Sequence, residues 1–275
     1  IVDTPIAESA IVGAAIGAAM NDTLPVAEIQ FADFIAPAFN QIVQEAARIR
    51  YRSNGDWNVP MVIRAPYGGG IHGALYHSQS IEAIFCHVPG LKVVAPATPY
   101  DAKGLLKTSI EDPDPVLFLE HKKCYRLIKG EVPFEDYRIP IGKAEVKRPG
   151  RDLTVISYGL MLHYSLEAAE ELAGEDIDVE VLDLRTLRPL DTDAIIASVR
   201  HTSKVLIVHE DNLTGGLGGE VAALISQYAF EYLDAPIMRL CGPEAPAMPY
   251  SKPLEEAFMP SPARIADAMR KLAAY

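Results

Sequence analysis

Residues 60–80 read Pro60-Met61-Val62-Ile63-Arg64-Ala65-Pro66-Tyr67-Gly68-Gly69-Gly70-Ile71-His72-Gly73-Ala74-Leu75-Tyr76-His77-Ser78-Gln79-Ser80. The first five residues form a short, β-branched apolar run of the kind found in a buried parallel strand. The residues after Tyr67 have the chemistry of a loop. Glycines allow close backbone approach, and two histidines five residues apart can move protons near neutral pH. A strand that empties into such a loop describes an α/β sheet with a site at its edge. The same kind of run recurs at Leu91-Lys92-Val93-Val94-Ala95 and at Pro115-Val116-Leu117-Phe118-Leu119-Glu120. Helical patterns at Ala10–Met20, Ala36–Tyr51, Ser80–His87 and Tyr100–Ile110 separate these runs, which predicts a mostly parallel α/β domain.

Around His121–Arg151 prolines and charges accumulate and periodicity fades, so this stretch reads as a connection between domains. Strand patterns then resume at Leu153–Ser157, Val179–Leu184 and Val205–His209. They alternate with helical patterns at His163–Ala173, Asp191–Val199 and Glu220–Tyr232. The expected organisation is two tandem α/β domains, residues 1–125 and 151–275, joined by a linker at 126–150.

The chain has 275 residues, 49% of them hydrophobic and 23% charged, with a formal net charge of −12. That composition fits a globular protein and argues against a nucleic-acid binder, because nothing neutralises a phosphate backbone. No apolar run is long enough to span a bilayer as a helix. Cys86, Cys124 and Cys241 are scattered, without Cys-x-x-Cys spacing, and are expected to be reduced, which favours the cytoplasm or a mitochondrial matrix. The start at Ile1, inside an apparent strand, leads to the expectation of a preceding segment.

Read alone, Glu8 is a carboxylate at the start of a Gly/Ala-rich helix, favourable against the helix dipole. Phe31 and Phe34 read as core, and Gln30 and Asp33 beside them need hydrogen-bond partners. His77, between glycines and Ser78-Gln79, reads equally as a site residue or a satisfied loop histidine, and His72 carries no assignment. Asp112-Pro113-Asp114-Pro115 is a tight turn or a cation site, since hard cations prefer oxygen ligands. Gly215-Gly216-Leu217-Gly218-Gly219 lacks the spacing of a phosphate loop and reads as a flexible helix start.

Taken together, Asp3-Thr4-Pro5-Ile6-Ala7-Glu8, Glu28-Ile29-Gln30-Phe31-Ala32-Asp33-Phe34, Gly73-Ala74-Leu75-Tyr76-His77-Ser78-Gln79-Ser80, Gly90–Val94, Tyr100–Leu105 and Asp183-Leu184-Arg185-Thr186-Leu187 resemble one family in order and spacing. That family is the β subunit of thiamine-diphosphate-dependent 2-oxo acid dehydrogenases, the E1 component. The resemblance covers essentially the whole chain. It implies a transketolase-like pyrimidine-binding domain followed by a transketolase C-terminal domain. It also implies an α subunit partner in an α2β2 assembly and a lipoylated E2 core protein as a further partner. No Gly-Asp-Gly run with a downstream Asn occurs here; in this family the α subunit carries that Mg-diphosphate motif.

The resemblance further implies roles. Glu8 matches the glutamate that hydrogen-bonds the cofactor's aminopyrimidine, Phe34 matches the aromatic packed on that ring, and Gln30 lies nearby. His77 matches the active-site histidine. Met61, Ser109, Ile110, Asp112 and Asp114 match a structural potassium site. The His77-Ser78-Gln79-Ser80 version is similar to the branched-chain type, with pyruvate and acetoin dehydrogenases as alternatives. A non-catalytic docking subunit is the alternative from a different class.

Overall fold

In the computed structural model, which describes all 275 residues, ten strands succeed one another along the chain. They are β1 (Val26–Glu28), β2 (Val62–Tyr67), β3 (Lys92–Val94), β4 (Val116–His121), β5 (Glu145–Arg148), β6 (Leu153–Ser157), β7 (Val179–Asp183), β8 (Thr186–Arg188), β9 (Val205–Asn212) and β10 (Met238–Gly242). The helices are α1 (Glu8–Ala19), α2 (Ile49–Arg52), α3 (Glu82–Cys86), α4 (Pro99–Glu111), α5 (Cys124–Leu127), α6 (Leu160–Ala173), α7 (Thr192–Thr202), α8 (Leu217–Tyr228), α9 (Lys252–Phe258) and α10 (Pro262–Ala273).

Two five-stranded sheets result, in the orders β1-β2-β4-β3-β8 and β10-β9-β6-β7-β5. Within the first, β1, β2, β4 and β3 are parallel; within the second, β10, β9, β6 and β7 are parallel. The apolar runs map onto interior strands because both faces are covered: Val116, Leu117, Phe118 and Leu119 of β4 are all fully buried. Helix starts obey local chemistry. Thr98 caps α4 by accepting from the Asp101 amide, with Pro99 in the first turn, and Ser261 and Pro262 repeat the device at α10.

The structure departs from the linear division expected from sequence in two places. Residues 145–148 fall within the expected linker, yet β5 pairs antiparallel with β7 as an edge of the second sheet. Residues 186–188 fall within the expected second domain, yet β8 pairs antiparallel with β3 and closes the first sheet. The chain leaves the second sheet at Asp183 and enters the first at Thr186. Arg185 makes the crossing with a left-handed φ of +53°.

An ionic knot holds that crossing. Arg185 Nη1 donates to Asp101 Oδ1 at 2.9 Å and to Glu145 Oε2 at 2.8 Å, and Lys147 Nζ reaches Asp101 Oδ2 at 2.8 Å. Asp101 lies on α4 of the first domain and is fully buried. The Thr98 hydroxyl donates to the same carboxylate at 2.6 Å.

The single helix expected over Ala36–Tyr51 is instead broken. A 3₁₀ turn at Ala36–Ala38, a π-helical stretch at Gln41–Ala46 and the short α2 replace it. Pro37 opens the segment without an amide to donate. At the start of the π stretch, the buried Gln41 Oε1 has no hydrogen-bond donor. The glycines at the start of α8 are not there for flexibility. A Cβ on Gly216 or Gly218 would lie 2.7 or 2.6 Å from the His209 ring, so they let α8 pack flush against β9. No helix is long and apolar enough to cross a membrane, and all three cysteines are free thiols.

Candidate functional site

Parallel sheets concentrate ligand chemistry beyond the carboxyl ends of their strands. Three segments meet that description here. Ile29–Phe34 comes after β1, Gly68–Ser80 after β2, and Lys122–Lys123 after β4. The turn after α1 returns the chain to the amino end of β1, which directs the amino end of α1, with Glu8, toward the same carboxyl edge. Glu8 is the first residue of α1, half-buried, and is preceded by Ala7, which supplies no side-chain cap.

Phe31, Phe34 and His77 form one aromatic cluster. The His77 ring sits edge-on to Phe31 at 4.6 Å and to Phe34 at 5.6 Å, and the two phenyl rings are 5.9 Å apart. All three are half-buried, so the phenylalanines form an open wall rather than the interior predicted from their type. Lys122 Nζ lies 5.3 Å from the Phe31 ring centroid, a cation–π placement. Burial pushes this ammonium down to about 8, against the opposing pull of Asp33 and Glu210.

Asp33 finds the partners its setting demands: its Oδ1 accepts from the Ser78 and Gln79 amides, both at 3.2 Å. The loop is pinned at its base, where the Gly68 amide donates to the Gln79 carbonyl at 3.0 Å. Asp33 Oδ2 and Ser78 Oγ are buried beside the cluster and make no hydrogen bond within the chain. Unsatisfied buried polar atoms next to an aromatic wall suit a heteroaromatic ligand with donors and acceptors on its rim. Gln30 is exposed, between buried Ile29 and half-buried Phe31, and its side chain makes no hydrogen bond.

The second domain reaches into this edge. Glu210, at the carboxyl end of β9, is buried. Its Oε1 accepts from the Gly69 amide at 2.5 Å and from Ser80 Oγ at 3.3 Å, and its Oε2 is 2.9 Å from His121 Nε2. Burial raises this carboxyl, but the His121 ring, the Gly69 amide and Lys122 outweigh burial and hold it below the usual range. Glu255 of α9 accepts from the Gly70 and His72 amides at 3.0 and 3.1 Å and pairs with His72 Nδ1 at 2.8 Å. That contact gives His72 a partner within its own chain. A cleft of about 380 Å³ opens beside the loop, lined by Ser78, Gln79, Glu210, Asp211, Met248 and Phe258.

Behind the loop the domain boundary holds further acids. Glu82, on α3, is buried and accepts from the Tyr158 hydroxyl at 2.8 Å; burial raises it to about 8. Burial likewise raises Asp183 to about 7.

The expected cation ligands lie on a separate part of the first domain. Asp112 takes Lys92 Nζ on both oxygens, at 2.5 and 2.7 Å. Asp114 takes Arg50 at 2.7 Å and Lys92 at 3.3 Å. Ser109 Oγ donates to the Leu105 carbonyl, and Met61 is buried with its carbonyl accepting from Val116. The two carboxylates are therefore already neutralised by side chains, and no cluster of three or more Asp, Glu, His or Cys side chains fit for a metal occurs.

Sequence reasoning passed over Lys122, His121, Glu210 and Glu255. The signal for Glu210 was present: an acid close behind the apolar run Val205–Val208, at the carboxyl end of a parallel strand.

The chain matches the transketolase pyrimidine-binding domain over residues 1–128 and the transketolase C-terminal domain over residues 142–265. It is 61% identical to the 2-oxoisovalerate dehydrogenase subunit beta of Bacillus subtilis (strain 168), over 100% of this chain and 84% of that one. It is 46% identical to the pyruvate dehydrogenase E1 component subunit beta of the same organism, over 98% and 82%. Its fold resembles a solved split-gene transketolase, described as an inactive β4 tetramer, with a TM-score of 0.80 and 26% identity over 99% of this chain and 83% of that one. Two sheets with transketolase-type domains in this order, and this identity along the full length, lead to one conclusion: the chain belongs to the family of 2-oxo acid dehydrogenase E1 β subunits.

Proposed function

We propose that this chain is the β subunit of a branched-chain 2-oxo acid dehydrogenase, working with an α subunit to decarboxylate the 2-oxo acid and pass the acyl group to a lipoyl group on an E2 core protein. The observation that carries this reading is the 61% identity to a 2-oxoisovalerate dehydrogenase β subunit, against 46% to a pyruvate-type one. Thiamine diphosphate, when bound, supplies the carbon nucleophile and the electron sink for decarboxylation. The chain's own residues set its surroundings. Phe34 offers a ring face, and Gln30 lies on the same segment. The Glu8 carboxyl, engaged with no other side chain, is available to share a proton with a ring nitrogen. The Asp33 Oδ2 and Ser78 Oγ atoms that lack partners support a polar ligand at this edge.

His77 holds or donates a proton where negative charge develops on the substrate oxygen or on the incoming dithiolane. Its ring is fixed against Phe31 and Phe34, and fixed geometry is what such a donor needs. The diphosphate and its Mg2+ belong to the α subunit in this reading. A structural potassium ion near Met61, Ser109, Ile110, Asp112 and Asp114 would rely on carbonyl oxygens, because Lys92 and Arg50 already occupy the carboxylates. The acidic C-terminal domain suits a basic subunit-binding domain of the E2 core protein.

The test is steady-state turnover of the α/β pair with 3-methyl-2-oxobutanoate and with pyruvate. A pocket that recognises added methyl groups discriminates by roughly 10–200-fold per group. The expected result is a kcat/KM at least about tenfold higher for the branched acid. Preference for pyruvate overturns the substrate assignment, and turnover of neither acid overturns the catalytic one.

A further inference from the structure

The loop that presents His77 is strained and is held from outside its own domain. His72 and Ala74 adopt left-handed φ values of +59° and +54° without being glycine. Such residues persist only where the surroundings enforce them. Enforcement comes from three carboxylates. Asp33 fixes Ser78 and Gln79 behind His77. Glu255 takes Gly70 and His72 ahead of it, and Glu210 takes one residue on each side, Gly69 ahead and Ser80 behind. Contact with the second domain is close: a Cβ on Gly69 would lie 2.4 Å from Met248 Cε. Only residues 73–77 remain between the anchored positions, and Ala74–Tyr76 of these form a single 3₁₀ turn.

Glu255 is the telling member. It is 3% exposed, and every side-chain hydrogen bond and ion pair it makes goes to Gly70 or His72. A carboxylate kept from water with no partner except one loop is not explained by holding its own short helix.

We propose that Glu255, assisted by Glu210, is a positioning residue: the second domain sets the place of the His77 imidazole by clamping the loop that carries it. The proposal rests on the reading of His77 given under Proposed function. It gives the C-terminal domain a part in the chemistry of a site whose reacting side chains all lie in the first domain. Glu210 also holds His121, so its removal disturbs more than the loop, and Glu255 is the residue to vary.

The experiment uses the assembled α/β complex with Glu255→Ala and Glu255→Gln. The glutamine keeps an oxygen able to accept from the Gly70 and His72 amides. In the alanine variant, amide hydrogen exchange across residues 70–77 is expected to speed up at least about tenfold, as local opening becomes easier. The kcat is expected to fall about 10- to 100-fold, the scale of a displacement near 1 Å at a reacting centre. KM and thiamine diphosphate affinity are expected to stay within about twofold, because Glu255 holds only Gly70 and His72, while Ser78 is held by Asp33. Glu255→Gln is expected to recover most of kcat.

Faster exchange with unchanged kcat overturns the positioning role. So does a loss of kcat that glutamine fails to rescue, or one that comes with lost cofactor binding. If the alanine variant does not assemble, the glutamine variant decides alone, since a kcat within about threefold of wild type is expected and a larger loss counts against the clamp. A wild-type complex without turnover speaks against the functional reading, and the exchange measurement still tests the clamp.

Discussion

Glu8→Gln is expected to lower the kcat of the assembled α/β enzyme by about two to four orders of magnitude, the range for removing a positioned acid–base group. The substitution keeps the size and shape of the side chain and removes its charge and its ability to share a proton. Structure predicts little else to lose. Glu8 is half-buried at the first position of α1, and no hydrogen bond or ion pair within the chain engages its carboxyl. The remaining structural cost is the helix-dipole contribution, about 0.3–1 kcal/mol. Single-turnover decarboxylation measured beside a thermal melt separates the two effects. A variant that decarboxylates at the wild-type rate removes Glu8 from the chemistry and favours a docking role for this chain.

The second large effect concerns stability. Asp101→Ala is expected to destabilise the chain by about 3–5 kcal/mol, the cost of stripping one partner from a buried ion cluster. Arg185, itself buried, and Lys147 would each lose their contact with a fully buried carboxylate. Because Asp101 sits on α4 and Arg185 at the crossing between the two sheets, both domains are affected. At about 2–4 °C per kcal/mol for a chain of this size, the melting temperature falls by about 6–20 °C.

The pH dependence has a definite sign. Burial pulls the Asp101 carboxyl upward, but Lys147, Thr98 and Arg185 outweigh burial and hold it below its usual value. A depressed carboxylate stabilises above its unfolded pKa, about 3.9, and loses that contribution as pH falls through the folded value. The gap between wild type and variant is therefore full at neutral pH and narrows only below about pH 4. Thermal melts at pH 7 and near pH 3.5 check this; a gap of equal size at both, or one under about 1 kcal/mol at pH 7, contradicts the role given to Asp101.

Much of this fold was written in local pattern. Runs such as Val116–Leu119 and Leu153–Ile156 are apolar almost throughout because both faces of a parallel strand are covered, and they lie on β4 and β6. The loop 68–80 stood out because glycine, histidine and amide residues come directly after a strand. What escaped the sequence was long-range. Strand β8 is three residues long and pairs across more than ninety positions with β3, so no local signal marks its change of sheet. Glu210 and Glu255 reach the loop from 141 and 185 residues away. Glu255 reads locally as an ordinary surface acid, and the place of Glu210 behind an apolar strand marks it as a strand-end acid without naming the loop it holds. Phe31 reads as core by type and stands at the open edge by position.

In the proposed assembly this chain supplies the aminopyrimidine half of a thiamine diphosphate site, and an α subunit completes it. Titration calorimetry of thiamine diphosphate with Mg2+ examines that division of labour, run on this chain alone and on the α/β complex. No saturable binding is expected for the chain alone, and one tight site per α/β pair is expected in the complex. Equally tight binding to the isolated chain would contradict a shared site.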